Sequence, residues 1–284
     1  MPETSFLSSV TGSFSTSAAQ NPTVAIMEAA FADAGLDCRY LNCEVPAENL
    51  AAAVRGAVAM GWIGFNCSIP HKVAVLQHLD ELAPSAEIIG AVNCVVIRDG
   101  RMTGENTDGQ GFVASLRGVR DPSGEHVVIL GAGGAARAIA VETALAGARS
   151  VTIVNRTAER GQALADLVDT RTPAAGRYLP WTPSLHVPHG TGVLINATSI
   201  GFHPLEADMP DVDPLSLEAG TVVADVVVNP PRTRFLAMAE DRGCVPLDGL
   251  GMLVNQAVIA VRLWTGVDVS GTVMRGVLED VFEV

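Results

Sequence analysis

The stretch His126-Val127-Val128-Ile129-Leu130-Gly131-Ala132-Gly133-Gly134-Ala135-Ala136 decides the fold. Its first half is a buried-strand run, and an alanine-rich helical pattern follows it as far as Ala146. Strand, then GxGGxA, then helix is the pattern of a dinucleotide-binding turn. The first glycines allow the tight turn and let the backbone approach a pyrophosphate, while Ala136 suits close packing of helix on strand. The helix N-terminus then faces the phosphates. Gly131, Ala132, Gly133, Gly134 and Ala135 are therefore the expected cofactor-binding loop.

Outward from this turn, the next strand ends Val154-Asn155-Arg156-Thr157-Ala158-Glu159-Arg160. Enzymes that use NAD usually carry an acid at such a strand tip, to hold the ribose 2′-hydroxyl. Here the tip has none. Asn155, Arg156, Thr157 and Arg160 instead offer guanidinium and hydroxyl donors to a 2′-phosphate, which points to NADP. Later strands are expected at 192–196, 221–228 and 244–247, with two closing helices at 251–264 and 272–282. The Pro-rich stretch 171–190 shows little periodicity. Asp121-Pro122-Ser123-Gly124 marks a break on the N-terminal side.

Before that break, strands at 6–10, 38–45 and 63–69 alternate with helices at 22–34 and 47–60, and 11–17 reads as a hydroxyl-rich loop. Alternation of this kind implies a parallel sheet with right-handed crossovers. Asp99-Gly100 joins 91–98 to 101–106 as a hairpin. The expected architecture is α/β: a mainly parallel N-terminal sheet, followed by a Rossmann-type NADP-binding domain.

The 284 residues carry a net charge of −13, with 48% apolar and 17% charged residues. The mean hydropathy is +0.31 and the isoelectric point about 4.8. Such a chain buries a large core, and its acidity argues against nucleic acid or anionic membrane as partner. No apolar run approaches a membrane span, and Met1-Pro2-Glu3-Thr4-Ser5 lacks the start of a signal peptide. The five cysteines form no CxxC pair and the six histidines are scattered. That pattern points to a reduced, cytoplasmic compartment and no metal site.

One lysine draws attention. Asn66-Cys67-Ser68-Ile69-Pro70-His71-Lys72 reads as a strand end, a polar turn and a helix start, which holds Lys72 at the mouth of a strand. Downstream lie Gly90-Ala91-Val92-Asn93-Cys94, Gly104-Glu105-Asn106-Thr107-Asp108, Asn196-Ala197-Thr198-Ser199 and Gly249-Leu250-Gly251-Met252-Leu253-Val254-Asn255-Gln256. Together with Asn155-Arg156-Thr157-Ala158-Glu159-Arg160, this ordered set resembles the shikimate dehydrogenase family over nearly the whole chain. The resemblance implies two domains, a substrate domain over 1–115 and 248–284 and the NADP-binding domain over 116–247. It implies reversible, NADP-dependent reduction of 3-dehydroshikimate, or a closely related cyclic keto acid, to shikimate. By matching position it makes Lys72 and Asp108 the catalytic pair. It likewise implies that Ser15, Ser17, Ser68, Asn93 and Gln256 bind substrate, and that Thr198, Ser199, Val226 and Gly249 line the cofactor. The chemistry suits these types. Hydride delivered to a ketone leaves an alkoxide, which Lys72 can protonate while Asp108 orients the lysine and accepts from a ring hydroxyl.

Two departures bear on the substrate. The family's Ser-x-Ser-Pro-x-x-His loop stands here as Ser15-Thr16-Ser17-Ala18-Ala19-Gln20-Asn21, so a looser loop is expected. Val228 replaces the family's tyrosine in Asp-x-x-Tyr-x-Pro and removes a hydroxyl contact to the substrate carboxylate. A shifted substrate, quinate-like or aminoshikimate-like, therefore stands beside shikimate. A non-catalytic NADP(H)-binding regulator is a second alternative, disfavoured by the intact Lys72 and Asp108. A folate-type methylene dehydrogenase is a third, disfavoured by the Asn-Thr-Asp and Met-Leu-x-x-Gln matches. The expected partner is a small cyclic polyol carboxylate; a homodimer stays open.

Overall fold

The computed structural model of the chain describes residues 6–283. It begins with β1 (Ser9–Ser15), α1 (Thr23–Asp33), β2 (Cys38–Glu44), α2 (Leu50–Ala59) and β3 (Gly64–Cys67). Then come α3 (His71–Ala74), β4 (Glu81–Leu82), α4 (Pro84–Ile89), β5 (Cys94–Arg98), β6 (Arg101–Glu105) and α5 (Thr107–Arg117). Next are β7 (His126–Leu130), α6 (Gly134–Leu145), β8 (Ser150–Asn155), α7 (Ala158–Arg171), β9 (Ala175–Pro180) and β10 (Val193–Asn196). The chain closes with β11 (Val222–Asp225), α8 (Arg234–Asp241), β12 (Val245–Leu247), α9 (Gly249–Thr265) and α10 (Gly271–Phe282). Two compact units result: one runs to Thr107 and resumes over Ala257–Glu283, the other is Asp108–Gln256.

In the second unit six strands lie in the order β12-β11-β10-β7-β8-β9, and every pair is parallel. Read by position in the chain, this is 3-2-1-4-5-6, the doubly wound order of dinucleotide-binding domains. Strand residues alternate between two cores. Val127, Ile129, Val151 and Ile153 face Ile139 of α6 and Leu164 and Val168 of α7. Val128, Leu130, Val154 and Val223 face Leu185, Leu217 and Phe235. A sheet covered on both faces needs apolar residues at every position, hence the uninterrupted Val-Val-Ile-Leu run.

In the first unit the order is β2-β1-β3-β5-β6-β4. β1 pairs parallel with β2 and β3, β4 pairs parallel with β6, and β5 runs antiparallel to both neighbours. The hairpin turn at Asp99-Gly100 has φ of +50° and +76°, the primed geometry that Asp-Gly favours. One face of the sheet buries Phe14, Phe65, Trp62 and Val54, with the Phe14 and Phe65 rings stacked at 4.6 Å. Trp264 of α9 returns to this unit and donates Nε1–H to Val95 O at 3.0 Å.

One expectation is corrected. The first strand is Ser9–Ser15, so most of the hydroxyl-rich stretch expected as a loop is strand. Its hydroxyls find partners across the sheet: Thr11 Oγ1 donates to Arg39 O (3.2 Å) and Ser13 Oγ to Asn42 Oδ1 (3.0 Å). The helix after Lys72 is a single α-turn continued by a 3₁₀ turn over Val75–His78. The two compact units divide at 107/108 and 256/257. The reason is that Phe112 and Leu116 of α5 bury in the second unit's core. Gly111 of α5 also crosses α9 so closely that a Cβ there would lie 2.6 Å from Gln256 N.

Candidate active site

The glycine loop lies where the order of the second sheet reverses, between β7 and β10. Gly131 has φ +107°, and a Cβ on it would sit 3.0 Å from Thr198 Cγ2 and 3.2 Å from Ala197 O. Glycine is needed there twice over, for the left-handed backbone and for the close approach. Gly133 and Gly134 are different: a Cβ on either meets nothing within 4 Å. They leave bare backbone at the start of α6, open to a ligand that needs N–H donors. Arg160 Nη2 donates back to Ala132 O at 3.2 Å, which ties the second strand tip to the loop.

Arg156, Thr157 and Arg160 are exposed. Asn155 commits its Nδ2 to Thr157 O (2.8 Å) and so shapes the turn at the tip of β8. Arg156 lines a cavity of about 260 Å³ together with Trp181, Thr182, Pro183, Ile200, Met209 and Asp211. A guanidinium beside an indole suits a flat aromatic ring. Open glycines, a helix N-terminus and an acid-free tip with two arginines together fit NADP.

Beyond β10, Asn196 Oδ1 accepts from Thr198 N (3.2 Å) and Thr198 Oγ1 (2.7 Å), which fixes the Thr198–Ser199 turn. Val226 N donates to Asn196 O at 3.0 Å. Gly249 packs on the same segment, since a Cβ on it would fall 2.5 Å from Val227 O. The structure thus brings Gly131 against Thr198, and Val226 against Gly249. Val228 is half-buried in the loop after β11. In the same unit Asp108 lies in the first turn of α5, and Gln256 of α9 is buried, its Nε2 donating to Leu253 O (3.0 Å).

In the first unit the expected residues gather at one end of the sheet. Ser15 closes β1 and is buried; its Oγ accepts from Ser17 N at 3.3 Å. Ser68 N donates to Phe14 O at 3.0 Å, and His71 N to Ser68 O at 2.7 Å, so the turn before Lys72 is anchored on β1. Lys72 O accepts from Val92 N at 2.8 Å, which joins the lysine turn to the Asn93 segment. Lys72 itself is half-buried. Burial pushes the Cys67 thiol up to about 12, and the nearby Lys72 charge acts in the opposite direction. The Asn93 amide engages Thr107, with Oδ1 accepting from Thr107 N (2.7 Å) and Nδ2 donating to Thr107 Oγ1 (3.0 Å).

Some residues of this site were not singled out in the sequence. Asn66 takes a hydrogen bond from the buried Tyr40 hydroxyl (2.8 Å) and donates to Asn93 O (3.0 Å). Asn42 donates to Ala18 O (3.0 Å) and Asn21 O (2.9 Å), and Asn21 donates to Ser13 Oγ (3.2 Å). The Ser15–Asn21 loop, expected to loosen without its proline and histidine, is therefore tied down by amides. Asp225 is buried at the end of β11, directly paired with Asn196 at the end of β10. An acid and an amide closing two neighbouring apolar strands was the available signal.

Comparison with known proteins agrees on one family. Three family models match: the shikimate dehydrogenase substrate binding domain over residues 16–95, shikimate / quinate 5-dehydrogenase over 115–180, and the shikimate 5′-dehydrogenase C-terminal domain over 249–279. The chain is 43% identical over 255 residues to the shikimate dehydrogenase (NADP(+)) of Methanopyrus kandleri, covering 88% of each chain. It is 58% identical to the ligand-free 5-ketofructose reductase of Gluconobacter sp. strain CHM43, with a TM-score of 0.96 over 98% of this chain and 100% of that one. It is 35% identical to a shikimate dehydrogenase solved in complex with NADP+, with a TM-score of 0.90 over 97% and 96% of the two chains.

Proposed function

The chain belongs to the shikimate dehydrogenase family, and from that premise we propose an NADP-dependent oxidoreductase that reversibly reduces a ketone on a polyhydroxylated ring. For the family's own reaction that ketone is 3-dehydroshikimate and the product shikimate. The observation that carries the cofactor half is the bare backbone of Gly133 and Gly134 at the start of α6, beside a strand tip with Arg156 and Arg160 and no acid. When bound, NADPH supplies the hydride. Lys72 then donates a proton to the oxygen of the reduced carbon, and Asp108 orients the lysine and accepts from a neighbouring hydroxyl. Ser15, Ser17, Ser68, Asn93 and Gln256 hold the hydroxyls. The five cysteines are free thiols, which supports a reduced, cytoplasmic setting.

A second reading concerns the substrate, and Val228 favours it. Valine offers no hydroxyl where the family's tyrosine meets the substrate carboxylate. The 58% identity to a 5-ketofructose reductase points the same way, to a polyhydroxylated ketone without a carboxylate. Initial rates with NADPH and NADH on 3-dehydroshikimate and 5-ketofructose, and in reverse on shikimate, quinate and aminoshikimate, test both readings through kcat/KM. Preference for 3-dehydroshikimate sinks the second reading. Preference for 5-ketofructose replaces the family substrate. Failure to oxidise NADPH with any of them sinks the enzymatic reading. Val228→Tyr adds a direct check: a hydrogen bond to a charged group is worth ~1.5–3 kcal/mol, so shikimate KM should fall by roughly tenfold to a hundredfold. The neutral ketose should gain nothing.

A further inference from the structure

Asp225 ends β11 and is 1% exposed. Its Oδ1 accepts from Asn196 Nδ2 at 2.9 Å and from Val227 N at 3.1 Å, and its Oδ2 accepts from Thr233 Oγ1 at 2.8 Å. These donors come from three separate segments. Asn196 ends β10, holds both polar groups of Thr198 through Oδ1, and also donates to Ile200 O (3.2 Å). Val227 belongs to the loop after β11, on which Gly249 closes. Thr233 caps α8, its Oγ1 accepting from Leu236 N at 3.3 Å.

Such a centre is costly. Burial pushes the Asp225 carboxyl up to about 6, although all three hydrogen bonds favour its charged form. A residue that served packing alone could be neutral. What the carboxylate offers is acceptor capacity, since both oxygens accept and neither needs to donate. Asparagine has the same shape but one acceptor oxygen. Its NH₂ would have to face either the Thr233 hydroxyl or the donors from Asn196 and Val227.

The place of this centre in the sheet gives it a role. In a doubly wound sheet each half takes one nucleotide of the cofactor. The arginine-bearing tip of β8 assigns the adenosine phosphate to the β7–β9 half. The β10–β12 half, where Asp225 sits, is left for the nicotinamide nucleotide. We propose that Asp225 is a positioning residue for hydride transfer: through Asn196, Val227 and Thr233 it locks the Thr198–Ser199 turn against the Val226–Val228 loop, and so sets the wall against which the nicotinamide lies. This rests on the NADP reading given above.

The test compares full-length wild type, Asp225→Asn, Thr233→Val and the exchange Asp225→Asn/Asn196→Asp. The probes are NADPH, its C4-deuterated form, and whichever of 3-dehydroshikimate and 5-ketofructose wild type reduces faster. Expected for Asp225→Asn is a fall in kcat of roughly tenfold to a hundredfold, with the deuterium isotope effect on kcat rising as hydride transfer becomes limiting. NADPH affinity by fluorescence titration should change less than fivefold, because the 2′-phosphate grip lies in the other half. Thr233→Val, which removes one donor, should move kcat and the isotope effect the same way by a smaller factor; it decides the matter if Asp225→Asn does not fold. The exchange restores an amide facing a carboxylate and should recover part of the lost kcat. A variant that melts earlier but keeps the wild-type kcat and isotope effect overturns the proposal and leaves Asp225 a fold residue. Wild type that binds no NADPH overturns the cofactor reading instead, so the two failures are distinguishable.

Discussion

Gly131 and Gly133 stand two residues apart in one loop, yet alanine at each should do opposite things. At Gly131 the backbone has φ +107°, and the added methyl would press on Thr198 Cγ2 at 3.0 Å and Ala197 O at 3.2 Å. A non-glycine residue in such a region costs on the order of 1–3 kcal/mol. The crowding adds to that, because the neighbours are backbone and a held threonine. Gly131→Ala should therefore lower unfolding free energy by about 2 kcal/mol or more in urea titrations. At Gly133 the backbone has φ −88° and ψ −172°, open to any L-residue, and the methyl meets nothing within 4 Å. Gly133→Ala should fold with stability within about 0.5 kcal/mol of wild type. If a pyrophosphate packs on this bare backbone, the methyl occupies its place and breaks a charge-assisted hydrogen bond worth ~1.5–3 kcal/mol. NADPH Kd by fluorescence titration should then rise by roughly tenfold to a hundredfold. A Gly133→Ala protein with wild-type NADPH affinity would refute the assignment of this loop.

Three further outcomes follow from other parts of the molecule. Arg156→Asp sets a carboxylate against the 2′-phosphate, so NADP should weaken strongly and NAD stay as it was; an unchanged NADP/NAD ratio of kcat/KM contradicts the reading of the β8 tip. Lys72→Ala should lower kcat by roughly 10²–10⁴ with little change in NADPH affinity, and full activity would leave Lys72 without its role. The Asp225 carboxyl is raised from 3.8 to about 6, mainly by burial, so the folded protein holds this proton more tightly than the unfolded chain. Its contribution to stability is fully present below pH 3.8 and is lost as pH rises through 6, by at most about 3 kcal/mol at 1.36 kcal/mol per unit. Urea unfolding at pH 4.5 and 7.5 should show Asp225→Asn gaining on wild type at the higher pH; a pH-independent difference argues that the group does not titrate there.

The second sheet was legible because a parallel sheet covered on both faces writes itself into the sequence as unbroken apolar runs. The strand His126–Leu130 and the strand Ser150–Asn155 carry the bounds expected of them. β1 was misplaced because its residues look like a loop. Thr11, Ser13 and Ser15 are polar, yet they are buried in a strand paired on both sides, and the partners Arg39 O and Asn42 lie 28 and 29 residues away. No local pattern reveals such satisfaction. β9 escaped for another reason: it is a half-exposed edge strand, paired only with β8 and ending at Pro180, so it carries little hydrophobic signal. Asp225 was visible as a letter in a motif, but its weight comes from burial and from three donors that only the folded sheet assembles.

The substrate loop shows how departures from a family pattern need not mean decay. Losing a proline and a histidine between Ser15 and Thr23 removes a rigid φ and an imidazole. In their place Asn21 bonds Ser13 Oγ through Nδ2 and accepts from Thr23 N through Oδ1 at 3.1 Å, while Asn42 holds the carbonyls of Ala18 and Asn21. The loop that carries Ser15 and Ser17 is thus still held in place, by neutral amides that both donate and accept. Rigidity was kept, by amides whose donors and acceptors are spent within the loop and on β1 and β2. A substrate carboxylate wants donors alone. Val228 removes a further donor of that kind from the second unit. The glycine loop, the arginine tip and Lys72 meanwhile keep the family's types. If the two departures act on substrate choice, a neutral polyhydroxylated ketone should rival 3-dehydroshikimate in kcat/KM; a strong preference for 3-dehydroshikimate would leave them as changes in packing alone.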